Sequence, residues 1–107
     1  MYLEDTIAAI STPVGEGGIG VIRISGPKAL SILRAVFKRK NDGGFQSHRF
    51  YYGEIVSLQA AMPIDESLAV YMQAPRSFTR EDVVEIQCHS GTLIMQQVLA
   101  LVLLNGA

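Results

Sequence analysis

Residues 19–25 read Ile-Gly-Val-Ile-Arg-Ile-Ser and residues 83–89 read Val-Val-Glu-Ile-Gln-Cys-His. Both runs are short, rich in β-branched residues and flanked by turn formers, which predicts strands. Side chains alternate across a strand, so Gly20, Ile22 and Ile24 oppose Ile19, Val21 and Arg23. In the same way Val84, Ile86 and Cys88 oppose Val83, Glu85 and Gln87. Strands with one apolar face need a second layer to cover it, and the rest of the chain supplies one.

Two segments have helical spacing. After Ser25-Gly26-Pro27, the residues Ala29, Leu30, Ile32, Leu33, Val36 and Phe37 recur on one side. Ser25 is the expected cap and Pro27 suits the first turn. Lys38-Arg39-Lys40 is expected at the C-terminal end, where cations complement the helix dipole, with Asn41-Asp42-Gly43-Gly44 as the stop. The second helix is expected from Thr92 to Leu104, ended by Asn105-Gly106. Only Thr92, Gln96 and Gln97 interrupt its apolar surface, so it is either sandwiched in the domain or faces something outside it. Further strands are expected over 5–12, 48–57 and 66–73, and the strand of residues 83–89 is expected to begin at Asp82, with a break around 60–63 and a turn at 74–77. The order β-β-α-β-β-β-α predicts an α+β fold. It has a mostly antiparallel or mixed sheet of about five strands and two helices on one face.

With 107 residues the chain is one small domain, and 49% hydrophobic with 18% charged residues argues against disorder. The net charge of −1 gives no global basic field, which disfavours tight nucleic-acid binding and leaves a local patch open. One cysteine, Cys88, cannot form an intrachain disulfide. The N-terminus has no basic start followed by an apolar run, and Val98 to Leu104 is too short to span a bilayer. A soluble cytoplasmic protein is expected.

The chemistry-bearing motifs each have a plain and a sharp reading. Gly15-Glu16-Gly17-Gly18-Ile19-Gly20 matches G-x-G-x-x-G, but a dinucleotide site needs a helix straight after the glycines, and a strand is predicted there. A structural loop, or one that lets a ligand or partner approach the backbone, fits better. No G-x-x-x-x-G-K-[ST] occurs, so no P-loop for GTP is present. Arg23 either lays its stem over apolar surface with its head in water, or is a fixed cation for a carboxylate or polar ring. Glu85 either lies on the solvent face of a half-buried sheet or accepts two parallel N–H bonds, as from the amino-pyrimidinone edge of a pterin. Cys88 and His89 point to opposite faces, so Cys88 reads as core and His89 as a strand-end residue. Arg76 and Arg80, in the loop Arg76-Ser77-Phe78-Thr79-Arg80-Glu81-Asp82, read as a solvated turn or as contacts for phosphate or a folate tail.

Several segments together resemble one family. Asp5-Thr6-Ile7-Ala8-Ala9, Thr12-Pro13, the glycine loop and Ile22-Arg23-Ile24-Ser25-Gly26 match the start of the N-terminal domain of the MnmE (TrmE) tRNA-modifying GTPases. The run from Ala74 to His89 matches that family's Ala-Pro-x-Ser-[FY]-Thr-x-Glu-Asp-Val-x-Glu-[ILV]-x-x-His. Tyr52-Gly53 and Ile64-Asp65-Glu66 also fit. The departures are Ser90-Gly91 where the family usually has Gly-Gly, and Glu16 where many members are basic.

The resemblance implies a tetrahydrofolate-binding and dimerisation domain over residues 1–107, similar to the folate-binding domain of the glycine-cleavage aminomethyltransferases. It places Arg23 and Glu85 at folate-contacting positions, with the 5-formyl or 5,10-methylene form as ligand. It also implies a parent protein that carries helical and G domains using GTP, Mg2+ and K+. With a flavoprotein partner, MnmG (GidA), that parent adds a carboxymethylaminomethyl-type group to carbon five of the wobble uridine of certain tRNAs. Other folate contacts of the family lie beyond residue 107, and this piece alone is not expected to be catalytic. The rival expectation is a dimerisation scaffold without a ligand.

Overall fold

A computed structural model describes residues 5–11, 18–41, 43–57, 63–75, 81–89 and 91–107. The elements are β1 (Ile7–Ile10), β2 (Ile19–Ser25), α1 (Ala29–Val36), β3 (Phe37–Arg39), β4 (Phe50–Ile55), β5 (Asp65–Met72), β6 (Val83–His89) and α2 (Thr92–Leu104). All six strands form one sheet in the order β1-β2-β6-β5-β4-β3, and every neighbouring pair is antiparallel. The α+β expectation holds, with one strand more than expected.

The extra strand corrects the reading of the first helix. α1 stops at Val36, and the Phe37 backbone is extended, at φ −125° and ψ 125°. Phe37, Lys38 and Arg39 pair with Ile55, Glu54 and Gly53 of β4, and the Lys40 N–H donates to the Tyr52 carbonyl at 3.0 Å. Lys38-Arg39-Lys40 therefore lies at a sheet edge, not at a helix terminus. Helical spacing placed Phe37 on the apolar side of α1, yet its ring reaches the same core from a strand. Local periodicity cannot separate these two ways of burying one residue; the free edge of β4 decides between them.

The start of α1 also differs from expectation. Ser25 ends β2, and its hydroxyl donates to Glu81 Oε2 at 3.0 Å. No side chain caps α1, and Thr6, from the segment before β1, instead ties down the turn ahead of it: its Oγ1 accepts the Lys28 N–H at 2.9 Å. Pro27 sits in the turn before the helix rather than in its first turn. Gly26 makes this junction possible. Its φ is +140°, a conformation that side chains rarely adopt. An added Cβ would meet Thr6 Cα at 2.5 Å and the Asp5 carbonyl oxygen at 2.7 Å.

The core is a single layer between the helices and one sheet face. Ile22 and Ile24 of β2, Val84, Ile86 and Cys88 of β6, and Ala69 and Tyr71 of β5 supply the sheet side. Ala29, Ile32, Leu33 and Val36 of α1 and Met95, Val98, Leu101 and Val102 of α2 supply the helix side. Gly20 of β2 faces Met95 of α2, and a Cβ there would lie 2.7 Å from Met95 Cε. The last glycine of the G-x-G-x-x-G match thus makes room for a core methionine and stands in a strand, not before a helix, while Gly15, Glu16 and Gly17 lie outside the described residues. α2 proves half-sandwiched, because Leu93, Leu103 and Leu104 on its other side are exposed. Among the described residues no helix is long and apolar enough to cross a membrane.

Candidate functional site on the open sheet face

The helices cover one face of the sheet, and the opposite face carries the residues singled out as ligand contacts. Alternation sends Ile22 and Ile24 to the core and Arg23 away from it. Val84 and Ile86 do the same for Glu85. Register then aligns them, because β2 pairs with β6 with Arg23 directly opposite Glu85. One row of side chains across this face reads Ala9, Arg23, Glu85, Val70, Phe50, and the next reads Val21, Gln87, Leu68, Tyr52.

Arg23 and Glu85 form a salt bridge. Arg23 Nε donates to Glu85 Oε2 at 2.9 Å and Nη2 donates to the same oxygen at 2.6 Å. The side chains are 35% and 13% exposed, so the pair is partly withdrawn from water yet open on one side. Both donors converge on Oε2, so among the described residues no group donates to Glu85 Oε1. A carboxylate offers about four acceptor positions. The arrangement can therefore accept a further pair of N–H donors while Arg23 holds the carboxylate in place. The sequence left Arg23 as cover for apolar surface or as a fixed cation for a carboxylate or polar ring, and Glu85 as a solvent-face residue or a ligand acceptor; the structure makes each the other's partner. The available signal was two lone charges in otherwise apolar strands. The register that joins residues 62 positions apart is not visible in either segment.

Farther along the same face, Tyr52, Glu66, Leu68, Gln87 and His89 border a hollow of about 190 Å³ that Ile19 also lines. The Tyr52 hydroxyl donates to Glu66 Oε2 at 2.7 Å. That bond, then desolvation and the charges of Glu66 and Glu54, raise the tyrosine above its usual value. His89 is exposed, and its ring Nδ1 lies 2.7 Å from Asp65 Oδ1. Asp65 Oδ2 also accepts the His89 backbone N–H at 2.9 Å, so one carboxylate orients the imidazole and closes the end of β6. The sequence offered no sign of the Asp65–His89 couple. Arg76 and Arg80 lie outside the described residues. Among those described, no three of His, Cys, Asp and Glu gather as a metal site.

Cys88 behaves as core. It is 4% exposed, its thiol donates to Met95 Sδ at 3.5 Å, and it does not meet the imidazole of its neighbour. Burial, followed by the charge of Asp65, raises its pKa from 9.0 to about 11. The thiol should therefore react with iodoacetamide at pH 8 about 100-fold or more slowly than an unfolded-chain cysteine. Comparing alkylation rates of the native and guanidinium-unfolded chain checks this, and equal rates would contradict it. The folded state binds this proton more tightly than the unfolded one. The associated stability is therefore complete below pH 9 and is lost as pH rises through about 11.

Comparison with known proteins agrees with the motif reading. The family described as GTP-binding protein TrmE N-terminus matches residues 6–107. The tRNA modification GTPase MnmE of Geotalea uraniireducens is 60% identical over 106 residues, covering 99% of this chain and 23% of the relative. That of Geobacter sulfurreducens is 60% identical over 107 residues, covering 100% and 24%. That of Acetivibrio thermocellus is 50% identical over 108 residues, again covering 100% and 24%. The chain thus spans about a quarter of the length of these curated relatives. With the family match running from Thr6 to the last residue, the chain belongs to the TrmE N-terminal family.

Proposed function

We propose that this chain is the tetrahydrofolate-binding, dimerising N-terminal domain of a cytoplasmic tRNA modification GTPase. With a flavoprotein partner, that protein adds a carboxymethylaminomethyl-type group to carbon five of the wobble uridine of certain tRNAs. The observation that carries the folate reading is the Arg23–Glu85 pair, with Glu85 Oε1 accepting no hydrogen bond among the described residues. The amino-pyrimidinone edge of a pterin presents two adjacent N–H donors, which suit a carboxylate held in one orientation. Leu68, opposite Gln87 on β5 and exposed, offers apolar surface for the ring. Bound 5-formyl or 5,10-methylene tetrahydrofolate would supply the one-carbon unit. Glu85 would hold the pterin and Arg23 would hold Glu85 and an adjacent polar group. The residues here do not suit GTP, since no phosphate-binding lysine loop occurs in the sequence. In this reading GTP, Mg2+ and K+ act on a part of the parent protein beyond these residues.

Calorimetric titration of the 107-residue chain with 5-formyltetrahydrofolate tests the folate reading. Saturable binding that Glu85→Ala weakens at least 10-fold is the expected result. Absence of binding at millimolar ligand, in a verified dimer, would sink it. A second reading, a dimerisation scaffold with no ligand, draws on the exposed Leu93, Leu103 and Leu104 along α2. Light scattering showing a strict monomer at high concentration would remove both dimer claims.

A further inference from the structure

Arg34, Lys38, Arg39, Lys40 and Arg49 are five of the nine lysines and arginines in the chain, and Asp42 is the one acidic residue from 34 to 49. The fold gathers this segment at one end of the sheet, because β3 is the edge strand and β4 starts beside Arg49. Three hollows open side by side there, of about 290, 220 and 340 Å³, and Arg39 lines all three. Among the described residues, no carboxylate stands within ion-pair distance of any of the five cations. Glu54, directly opposite Lys38, and Glu66 also line the first hollow, so among the described residues the basic excess is concentrated at the other two, around Arg34, Arg39 and Arg49.

The edge is aromatic as well as basic. The Arg39 guanidinium carbon lies 4.2 Å from the centroid of Tyr51 and 5.8 Å from that of Phe45, and Arg39 Nη1 donates to the Gly44 carbonyl. Stacking and this bond hold the guanidinium in one place, so less ordering remains when it meets an anion. Lys40 Nζ lies 5.5 Å from the Tyr52 ring centroid. Tyr52 and Phe50, on the open sheet face beside this edge, are 44% and 59% exposed. Preset cations alongside exposed rings are the combination that tracks a phosphate backbone and stacks unpaired bases. A phospholipid surface would meet the same charge and seat rings at its interface, and binding to vesicles distinguishes it from RNA.

We propose that the β3–β4 edge, through Lys38, Arg39, Lys40 and Arg49 with Phe50 and Tyr52, is a docking surface for single-stranded RNA. This does not rest on the folate reading, whose Glu85 and Arg23 lie on other strands. The net charge that disfavours RNA binding by the whole surface leaves this local patch untouched.

Fluorescence anisotropy of the 107-residue chain with a labelled 12-nucleotide single-stranded RNA, from 50 to 200 mM salt, tests the proposal. Four phosphate contacts predict a log–log salt slope of about −3. Lys38→Gln/Lys40→Gln/Arg49→Gln should weaken binding at least 10-fold and flatten that slope. These side chains lie at the surface, and an unchanged circular dichroism melt will show that the fold is kept. Phe50→Leu/Tyr52→Leu should weaken binding about 5-fold or more with the slope unchanged, because stacking releases no counterions. Lys28→Gln, away from the edge, should leave RNA affinity as it is. No binding at 50 mM salt, an unaffected triple variant, or equal capture by phosphatidylglycerol vesicles with the same loss in that variant would each overturn the proposal.

Discussion

Gly26→Ala should lower stability by about 4 kcal/mol, the sum of a strained backbone and a forced contact, each of order 1–3 kcal/mol. Gly26 has φ +140°, and the new methyl would press on Thr6 Cα and the Asp5 carbonyl rather than on a yielding side-chain end. The position is also tied down on three sides. Its N–H donates to the Asp82 carbonyl at 2.9 Å, its own carbonyl accepts the Ala29 N–H at 3.1 Å, and Thr6 beside it accepts the Lys28 N–H at 2.9 Å. Relief by moving the chain would therefore cost the helix start or the approach to β6. For a domain of this size the loss amounts to a fall in Tm of roughly 15–30 °C. Thermal melts followed by circular dichroism will measure it. Gly44→Ala is the control: its Cβ would meet nothing within 4 Å, and its melt should shift by less than about 0.5 kcal/mol equivalent. A Gly26→Ala variant within about 1 kcal/mol of the parent would show that the β2–α1 junction is not as constrained as drawn.

Arg23→Glu should cost about 2 kcal/mol at neutral pH, between the small value of an exposed pair and the larger one of a broken buried pair. The substitution sets two carboxylates directly opposite one another on adjacent strands, on a face where Glu85 is mostly buried. Adding Glu85→Arg restores opposite charges in the same register, so the double variant should recover to within about 1 kcal/mol of the parent. Folate affinity should behave differently. The swap puts a guanidinium where the proposed site needs an acceptor, and binding should stay at least 10-fold weakened despite recovered stability. Denaturant unfolding and ligand titration on the same three proteins separate the two roles. Recovery of both together would mean that the pair serves ligand binding only through the fold. Recovery of neither would mean that the swapped orientation does not fit the strands.

Much of the architecture is local and was legible. β2 and β6 lie where β-branched alternation placed them, and α2 runs from Thr92 to Leu104 because Asn105-Gly106 stops it. Cys88 as core and His89 as a strand-end residue also follow from alternation alone. The misread stretch, residues 37–40, is one where two local patterns agree with one composition. Phe37 continues the apolar helix stripe, and the basic residues after it suit a helix terminus equally well as an edge strand.

The sequence by itself determined which residues turn inward and which turn outward, because side-chain direction follows backbone period within a few residues. It also determined family membership, through motifs long enough to be specific. Tertiary structure alone decided what meets what. Strand register, set between segments tens of residues apart, joined Arg23 to Glu85 and His89 to Asp65. Sheet order placed Lys38, Arg39 and Lys40 on an exposed edge and brought Tyr52 beside them. Pairing energy is shared among many backbone bonds and a common core, so no single segment carries the information that selects its partner.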